Sequence, residues 1–222
     1  KKSSLITPMN FGVLSGGKKI RSSIILASGK LFNIKSNRLI NICGAVECIH
    51  SYSLIHDDLP CMDNDKLRRG KPTAHIKFGE STAVLAGNSL LTLAFEMISD
   101  KKFKIKDNKK VLLIKKLAEC SGHTGIAGGQ ELDLKYEKKR KKFKEIINMQ
   151  RKKTGKLFSF CCFAAGQIAG KSKKANNKLI KLGEDIGLLF QLADDFLDVK
   201  GKLKYTGKMV NKDKKKGKST II

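Results

Sequence analysis

Apolar residues recur at spacings of three and four along almost the whole of this chain, with no sustained alternation of apolar and polar residues. A spacing of three and four places side chains on one face of an α-helix, whereas alternation would indicate a β-strand. Only 3 of the 222 residues are proline, and 41% are hydrophobic, so long helices and a sizeable core are both possible. The sequence therefore predicts an all-α fold.

The same spacing predicts where the helices lie. Ser36 is the predicted N-cap of a helix that ends at Pro60, and this helix leads into the first cluster of aspartates. The full set of predicted helices covers residues 18–32, 36–60, 80–99, 109–128, 143–170 and 175–200.

Three segments lack the helical pattern and are predicted to be loops. Pro8 and Gly12 interrupt the residues before Gly17, and the segment 63–79 is mainly polar and contains Gly70 and Pro72. Beyond Gly201 the composition turns to Lys, Gly, Asn and Thr, which predicts a mobile loop or a disordered tail.

Two clusters of aspartates lie far apart in a chain that is otherwise basic, with 46 Lys and Arg against 20 Asp and Glu. Carboxylates packed so closely repel one another, so they need cations to remain ionised together. Magnesium takes oxygen ligands and is commonly held by one or two carboxylates together with substrate phosphate. The sequence therefore predicts magnesium and a polyphosphate substrate. The clusters are Asp57, Asp58 and Asp63, and Asp194, Asp195 and Asp198.

Three small basic clusters offer cationic donors for phosphate. One lies at a predicted helix start, where free backbone N–H groups also favour anions. Another follows the first aspartates and presents guanidinium groups, which suit bidentate contact with phosphate. The third places an ammonium next to a hydroxyl. These clusters are Lys18 with Arg21, Arg68 with Arg69, and Lys153 with Thr154. The alternative for each is an ordinary basic surface, and their position next to the aspartates favours a phosphate role for Arg68 and Arg69.

Several polar residues on apolar helices have two open interpretations. His50 lies seven residues before Asp57, which is about two helical turns and therefore nearly the same face. It is either an ordinary core histidine or a donor to a second diphosphate. Gln130, Asp133 and Gln191 are either polar contacts in a cavity or capping groups.

The charge of +26 permits contact with nucleic acid or an anionic membrane but requires neither. Lysine runs such as 138–142 are typical of solvated faces, with weak binding of polyanions as the alternative.

The six cysteines have no metal-ligand spacing and resemble small hydrophobes in a reducing compartment. The longest apolar tract, 83–98, is too polar for a membrane span, and no signal peptide is recognisable. We therefore expect a cytoplasmic protein without a transmembrane segment.

These motifs, taken in order, resemble those of the bacterial trans-isoprenyl diphosphate synthases, and most closely the farnesyl diphosphate synthases among them. They cover nearly the whole chain. The stretches that carry the resemblance are Gly16–Arg21, His50–Asp63, Leu67–Gly70, Gly129–Asp133, Lys153–Gly155 and Gly187–Asp198.

The resemblance implies a helical bundle around a deep central cavity, with the two aspartate clusters on facing helices at its mouth. It also implies one polyprenyl synthase domain over residues 1–222, shorter than the family at both ends, and a homodimer. Nucleic acid is not an expected partner. After Arg21 the family usually has proline, whereas this chain has Ser22, which predicts a mild change at the helix start.

The resemblance further implies a role for each motif. About three magnesium ions would hold an allylic diphosphate through carboxylates. The implied metal ligands are Asp57, Asp63 and Asp194, supported by Asp58, Asp195 and Asp198, and Lys153 completes the catalytic set. The implied allylic-site residues are Arg68, Lys153, Thr154, Gln191 and Lys208. The implied isopentenyl-site residues are Lys18, Arg21, His50 and Arg69.

Tyr52 and Ser53 lie about one helical turn before Asp57. The resemblance implies that a bulky ring at this depth limits the growing chain to the C15 farnesyl product. The alternative is that Tyr52 simply packs in the core.

The implied reaction condenses isopentenyl diphosphate with dimethylallyl or geranyl diphosphate to give farnesyl diphosphate and diphosphate. The alternatives are a synthase of longer or shorter products and a non-catalytic homologue that serves as a helical partner subunit. A terpene cyclase has a similar aspartate-rich motif, but it would have no use for the isopentenyl-site residues Lys18, Arg21 and His50. A basic nucleic-acid binder would leave the aspartates unexplained.

Overall fold

The computed structural model describes residues 3–200 together with Lys218, Thr220 and Ile221. The chain divides into two compact units, Lys1–Ile114 and Lys115–Ile222. Within the described residues all regular structure is helical, apart from one hairpin with two residues in each strand. The predicted all-α fold is confirmed, whereas the central cavity and the single domain remain predictions. The predictions for the tail beyond Gly201 and for Lys208 lie outside the described residues.

The first unit contains five α-helices, a 3₁₀ turn and the hairpin, and α6 crosses its boundary with the second unit. Its elements are α1 (Ile6–Leu14), α2 (Ile20–Leu31), the 3₁₀ turn (Ser36–Arg38), α3 (Ile40–Asp57), β1 (Leu67–Arg68), β2 (Lys71–Pro72), α4 (Ala74–Phe78), α5 (Glu80–Ser99) and α6 (Asp107–Ser121). The second unit continues with α7 (Ile126–Tyr136), α8 (Phe143–Gln150), a π-helical turn (Arg151–Gly155), α9 (Lys156–Ile168) and α10 (Lys173–Lys200).

The core of the first unit forms where α3 packs along α5. Small residues on the facing sides bring the two backbones close. The ring of His56 on α3 lies directly against Gly87 on α5, and its Nε2 lies 3.1 Å from the carbonyl oxygen of Val84. This contact fixes the last turn of α3, immediately before the first aspartates.

Helix α5 alone among the described helices is long and apolar enough to cross a membrane by length and composition. One such helix is weak support for a span, because the core helix of a water-soluble protein passes the same test. Its buried face packs against α3 in the first unit and consists of Ala83, Ala86, Gly87, Leu90, Ala94 and Ile98.

The second unit is built around α9, which packs against α10. Ten of the thirteen residues of α9 are buried, including Phe158 and Phe160. A Cβ atom on Gly187 of α10 would lie 2.7 Å from the Cα of Gly155. This close approach brings α10 against the π-helical turn.

The predicted loop before Gly17 was wrong, because it contains α1. Pro8 lies in the first turn of this helix, where a missing N–H removes no intrahelical bond. Gly12 is required by packing rather than by a turn, since a Cβ atom there would lie 2.6 Å from Ile55 Cδ1. Both residues were misread as helix breakers.

The predicted helix 109–128 was also wrong at its C-terminal end, since α6 ends at Ser121 and a separate α7 follows. A Cβ atom on Gly125 or Gly128 would collide with the backbone carbonyl of Cys120 or His123, respectively. The turn between the helices therefore needs these glycines, which the apolar spacing did not reveal.

Four smaller predictions needed correction. Ser36 begins a 3₁₀ turn and is not the N-cap of α3, which is Leu39. The segment 63–79 contains the hairpin and α4. A π-helical turn divides the predicted helix 143–170. Cys61 is exposed, unlike the remaining cysteines, which are buried or half-buried.

Replacing Gly87 by alanine tests the contact with His56. An added methyl group would displace a ring that is already hydrogen-bonded, so we expect a loss of about 1–3 kcal/mol in the free energy of unfolding. Gly44→Ala is the matched control, because its methyl group meets the flexible end of Met97. That control gains about 1 kcal/mol of helix propensity and should be neutral or stabilising. Urea denaturation of both variants measures the difference, and equal stabilities would contradict the account.

Candidate active site

The first aspartate cluster lies where the chain folds back on the end of α3. The N–H of Asp63 donates to the carbonyl oxygen of Asp57 at 2.9 Å, and the N–H of Asp65 donates to that of Asp58 at 3.2 Å. These bonds satisfy helix-end carbonyls that would otherwise lack partners. They also tie the backbones of Asp57 and Asp63 together, and both side chains are half-buried.

Asp58 has a different environment, because it is only 3% exposed. Arg68 Nε donates to its two carboxylate oxygens at 2.9 and 2.8 Å, and Arg68 Nη2 donates at 2.6 Å. Asp65, which the sequence analysis did not single out, lies 4.0 Å from the same guanidinium. Burial lowers the pKa of Arg68, but the hydrogen bonds and charge of Asp58 outweigh this and raise it. Arg68 is thus held against the metal-ligand candidates by a buried ion pair.

The hairpin directs two consecutive arginines to different partners. Arg69 and Gly70, the central residues of its turn, both have positive φ, as two-residue hairpin turns require. Arg68 reaches Asp58, whereas Arg69 Nη1 donates to the carbonyl oxygen of Gly16. Arg69 therefore contacts the loop that carries Lys18, whose side chain is exposed.

His50 lies on α3 within a group of positive charges. Burial lowers the pKa of His50 well below its usual value, and the charges of Arg21, Arg69, Arg68 and Lys19 lower it further. A neutral imidazole beside several cations is suited to an anionic ligand, because the surrounding positive charges attract an anion and the imidazole can donate a hydrogen bond to it. This environment favours the interpretation of His50 as part of an anion site.

Tyr52 and Ser53 are both buried on α3. The ring of Tyr52 packs edge-on against His56, with centroids 5.7 Å apart, and burial followed by the charge of Asp57 raises the pKa of Tyr52 to about 12. Ser53 Oγ donates to the carbonyl oxygen of His50 at 3.0 Å. Tyr52 therefore packs in the core one turn before Asp57, and its role in product length remains a prediction.

The second aspartate cluster lies near the end of α10, where Asp194 and Asp198 are half-buried and share one face. Asp195 is 1% exposed. It accepts from Gln191 Nε2 at 2.7 Å and from the N–H of Ile221 at 2.8 Å. Burial raises the pKa of Asp195, these hydrogen bonds oppose that shift, and the charges of Asp194 and Asp198 add to it.

The π-helical turn presents Lys153 and Thr154. Thr154 Oγ1 donates to Gln191 Oε1 at 3.3 Å, which connects it through Gln191 to Asp195. Gly129 lies against the backbone of Lys153 with no room for a Cβ atom. The π-helical turn thus contacts α7 through the backbone of Lys153 and α10 through the side chain of Thr154.

Lys153 Nζ donates to Asp133 Oδ2 at 2.7 Å, and Lys218 Nζ donates to the same oxygen at 3.1 Å. Although burial raises the pKa of Asp133, the two lysines lower it below its ordinary value. The sequence left Asp133 open between a cavity contact and a cap, and the structure shows a buried ion pair. Its signal in the sequence was a carboxylate flanked by Leu132 and Leu134. The amide of Gln130 is buried without a hydrogen-bond partner among the described residues.

The described residues contain no group of three or more His, Cys, Asp or Glu side chains placed to hold a metal ion unaided. Each unit nevertheless has a pair of half-buried carboxylates, Asp57 with Asp63 in the first and Asp194 with Asp198 in the second. Each pair by itself fits magnesium, which commonly takes one or two carboxylates and completes its shell with water and phosphate.

The family described as polyprenyl synthetase matches residues 2–222 of this chain. The chain belongs to that family. It is 44% identical over 218 residues to the farnesyl diphosphate synthase of Escherichia coli, covering 97% of this chain and 73% of that enzyme. The farnesyl diphosphate synthase of Bacillus subtilis is 40% identical over 218 residues, covering 98% and 74%, respectively.

A solved structure of the Helicobacter pylori geranyltransferase, complexed with magnesium and isoprenyl diphosphate, matches with a TM-score of 0.83 and 34% identity. The match covers 99% of this chain and 71% of that one. The predicted family and fold class are thereby confirmed, and the relatives bearing these names are prenyltransferases.

The neutral state of His50 makes a prediction about acid stability. Because its folded-state pKa lies below the unfolded value of 6.5, the unfolded chain binds more protons as the pH falls below that value, so stability falls with it. His50→Gln should reduce the loss of unfolding free energy between about pH 7 and pH 5. Urea denaturation at both pH values measures it, with His123→Gln controlling for loss of an exposed imidazole. An unchanged pH dependence in His50→Gln would contradict a lowered pKa of His50 in the folded chain.

Proposed function

We propose that this chain is a magnesium-dependent prenyltransferase that condenses isopentenyl diphosphate with dimethylallyl or geranyl diphosphate to give farnesyl diphosphate and diphosphate. The observation that carries the proposal is the pair of opposite environments along α3. Its C-terminal end holds the carboxylates of Asp57 and Asp63 beside a buried Asp58–Arg68 ion pair. Two turns earlier, His50 lies among cations. The names of the relatives support the same reaction.

The allylic diphosphate requires both metal and cationic donors. We assign Asp57, Asp63 and Asp194 as the ligands of about three magnesium ions. Magnesium, when bound, supplies positive charge to the oxygens of the departing diphosphate. Lys153 and Thr154 supply an ammonium and a hydroxyl for the same group, and Arg68, Gln191 and Lys208 complete the assignment.

Isopentenyl diphosphate is negatively charged, but its own C–O bond is not broken in the reaction. Its binding therefore needs cationic side chains rather than metal ions. Lys18, Arg21 and Arg69 are assigned to it, together with the neutral imidazole of His50. Because Arg69 is hydrogen-bonded to Gly16, its guanidinium is already directed toward the loop that carries Lys18. This arrangement reduces the ordering cost of ligand binding.

The chemistry then needs no side-chain nucleophile. The allylic C–O bond breaks and its electron pair leaves with the diphosphate, whose growing charge the basic side chains stabilise. The double bond of isopentenyl diphosphate forms the new C–C bond, and a proton passes to the released diphosphate. The carbocation must be kept from water, and buried apolar residues of α3 such as Ile49 and Ile55 support that function.

Substitution of the proposed metal ligands tests the activity. Asp57→Asn and Asp194→Asn should each lower magnesium-dependent release of diphosphate from geranyl and isopentenyl diphosphates by about 100-fold or more, because each removes a charged ligand. Asp107→Asn is the control, since that carboxylate is 94% exposed on α6 and should leave the rate unchanged. Absence of diphosphate release by the wild-type chain with magnesium would refute the proposed reaction.

Tyr52 tests the assignment of the farnesyl product. Tyr52→Ala removes the buried ring and should allow a further condensation to the C20 product, whereas Tyr52→Phe keeps the ring and should preserve C15. Because loss of a large core side chain costs about 3–5 kcal/mol, thermal unfolding of both variants accompanies mass analysis of the products. A C15 product from both variants would show that Tyr52 only packs in the core.

We also propose that the protein acts as a homodimer in the cytoplasm, which the family resemblance supports. Its substrates are small isoprenyl diphosphates, and no nucleic-acid partner is proposed.

A further inference from the structure

Glu47 is a buried carboxylate on α3 that the reaction does not use. It is 8% exposed and lies one turn before His50. Burial of a charge is costly unless donors compensate it. Ser22 Oγ donates to Glu47 Oε1 at 2.7 Å, the N–H of Ser22 donates at 3.4 Å, and Lys19 Nζ lies 3.2 Å from Glu47 Oε2.

The donors to Glu47 come from the first turn of α2 and the residue before it. Helix α2 begins at Ile20, and its own N-cap residue, Lys19, makes no side-chain cap. The N–H of Ser22 is therefore a helix-start donor without an intrahelical acceptor. Glu47 supplies that acceptor from another helix, and Cys43 Sγ on α3 adds a contact of 3.9 Å to the carbonyl oxygen of Ser22.

The loop before α2 needs such support. Gly16, Gly17 and Lys19 have φ values of 98°, 112° and 47°, so three of its residues adopt left-handed conformations. For Lys19, which has a Cβ atom, this conformation is unfavourable unless other contacts stabilise it. Its ammonium makes two such contacts, with Glu47 at 3.2 Å and with the carbonyl oxygen of Val13 at 2.6 Å.

We propose that Glu47 is a positioning residue for isopentenyl diphosphate, which fixes the start of α2 so that Lys18 and Arg21 are held for the diphosphate. The inference rests on the proposed function. Lys19 follows Lys18 and Ser22 follows Arg21, so Glu47 holds the immediate neighbour of each diphosphate-binding side chain. A carboxylate would repel a diphosphate directly, so Glu47 acts through Lys19 and Ser22.

The test separates substrate affinity from turnover. Glu47→Ala should raise the KM for isopentenyl diphosphate by about tenfold or more, because it removes a buried acceptor from two donors. The turnover number at saturation and the KM for geranyl diphosphate should stay within about twofold. Glu47→Gln keeps an acceptor for Ser22 but loses the charge opposite Lys19, so its effect should be intermediate. Ser22→Ala should also raise only the KM for isopentenyl diphosphate.

Calorimetric titration with isopentenyl diphosphate, without magnesium or an allylic substrate, gives a second readout that does not depend on turnover. The variants should lose affinity for isopentenyl diphosphate in the same order in which their KM for it rises. Glu119→Ala is the matched control, because this glutamate also pairs with a lysine, at 3.3 Å from Lys116, but on the surface of α6. It should change neither quantity.

The outcomes distinguish the inference from the proposed function. A wild-type chain that neither binds isopentenyl diphosphate nor releases diphosphate overturns both. An active wild type whose Glu47 and Ser22 variants keep the wild-type KM overturns the positioning role alone. The positioning role is also overturned if these variants raise the KM for both substrates equally. A loss of thermal stability without any change in affinity for isopentenyl diphosphate would overturn it too. If Glu47→Ala does not fold, Glu47→Gln and Ser22→Ala decide the matter.

Discussion

The buried ion pair between Asp58 and Arg68 is the interaction on which the first aspartate cluster depends. Three carboxylates lie within seven residues at the end of α3, where the partial negative charge of a helix C-terminus adds to their repulsion. Arg68 neutralises the buried one through hydrogen bonds of 2.6–2.9 Å. The half-buried Asp57 and Asp63 can then serve a metal while the helix end stays folded. Removing only one partner of such a pair would leave a buried charge uncompensated.

The same helix separates two kinds of charge along its length. Carboxylates lie at and just beyond its last residue, Asp57, whereas the cations near His50 come from the start of α2 and from the hairpin. Two interactions anchor this region, since Arg69 donates to the carbonyl oxygen of Gly16, and Glu47 pairs with Lys19 and accepts from Ser22. In the proposed function, this one helix therefore serves a metal-dependent and a metal-independent diphosphate site.

Much of this could be predicted from the sequence because helical periodicity and motif spacing are local signals. They gave the all-α class, the bounds of α5 and the end of α3 before Pro60. The prediction errors arose where tertiary contacts determine the local structure. Gly12 and Gly87 allow close packing against neighbouring side chains, and the glycines at 125 and 128 permit a backbone turn. Glu47, Asp65 and Lys218 were missed because a single charged residue in so basic a chain carries no signal until its partner is known. The left-handed Lys19 and the π-helical turn that presents Thr154 likewise follow from packing.

The central claim is that this chain binds two diphosphates by different physical means, one through magnesium and one through cationic side chains alone. Titration calorimetry of the wild-type chain tests it most directly, with isopentenyl diphosphate and with a geranyl thiolodiphosphate analogue that does not ionise, each with magnesium and with EDTA. The account predicts that chelation abolishes binding of the geranyl analogue while isopentenyl diphosphate still binds. Loss of both with EDTA, or retention of both, would contradict it.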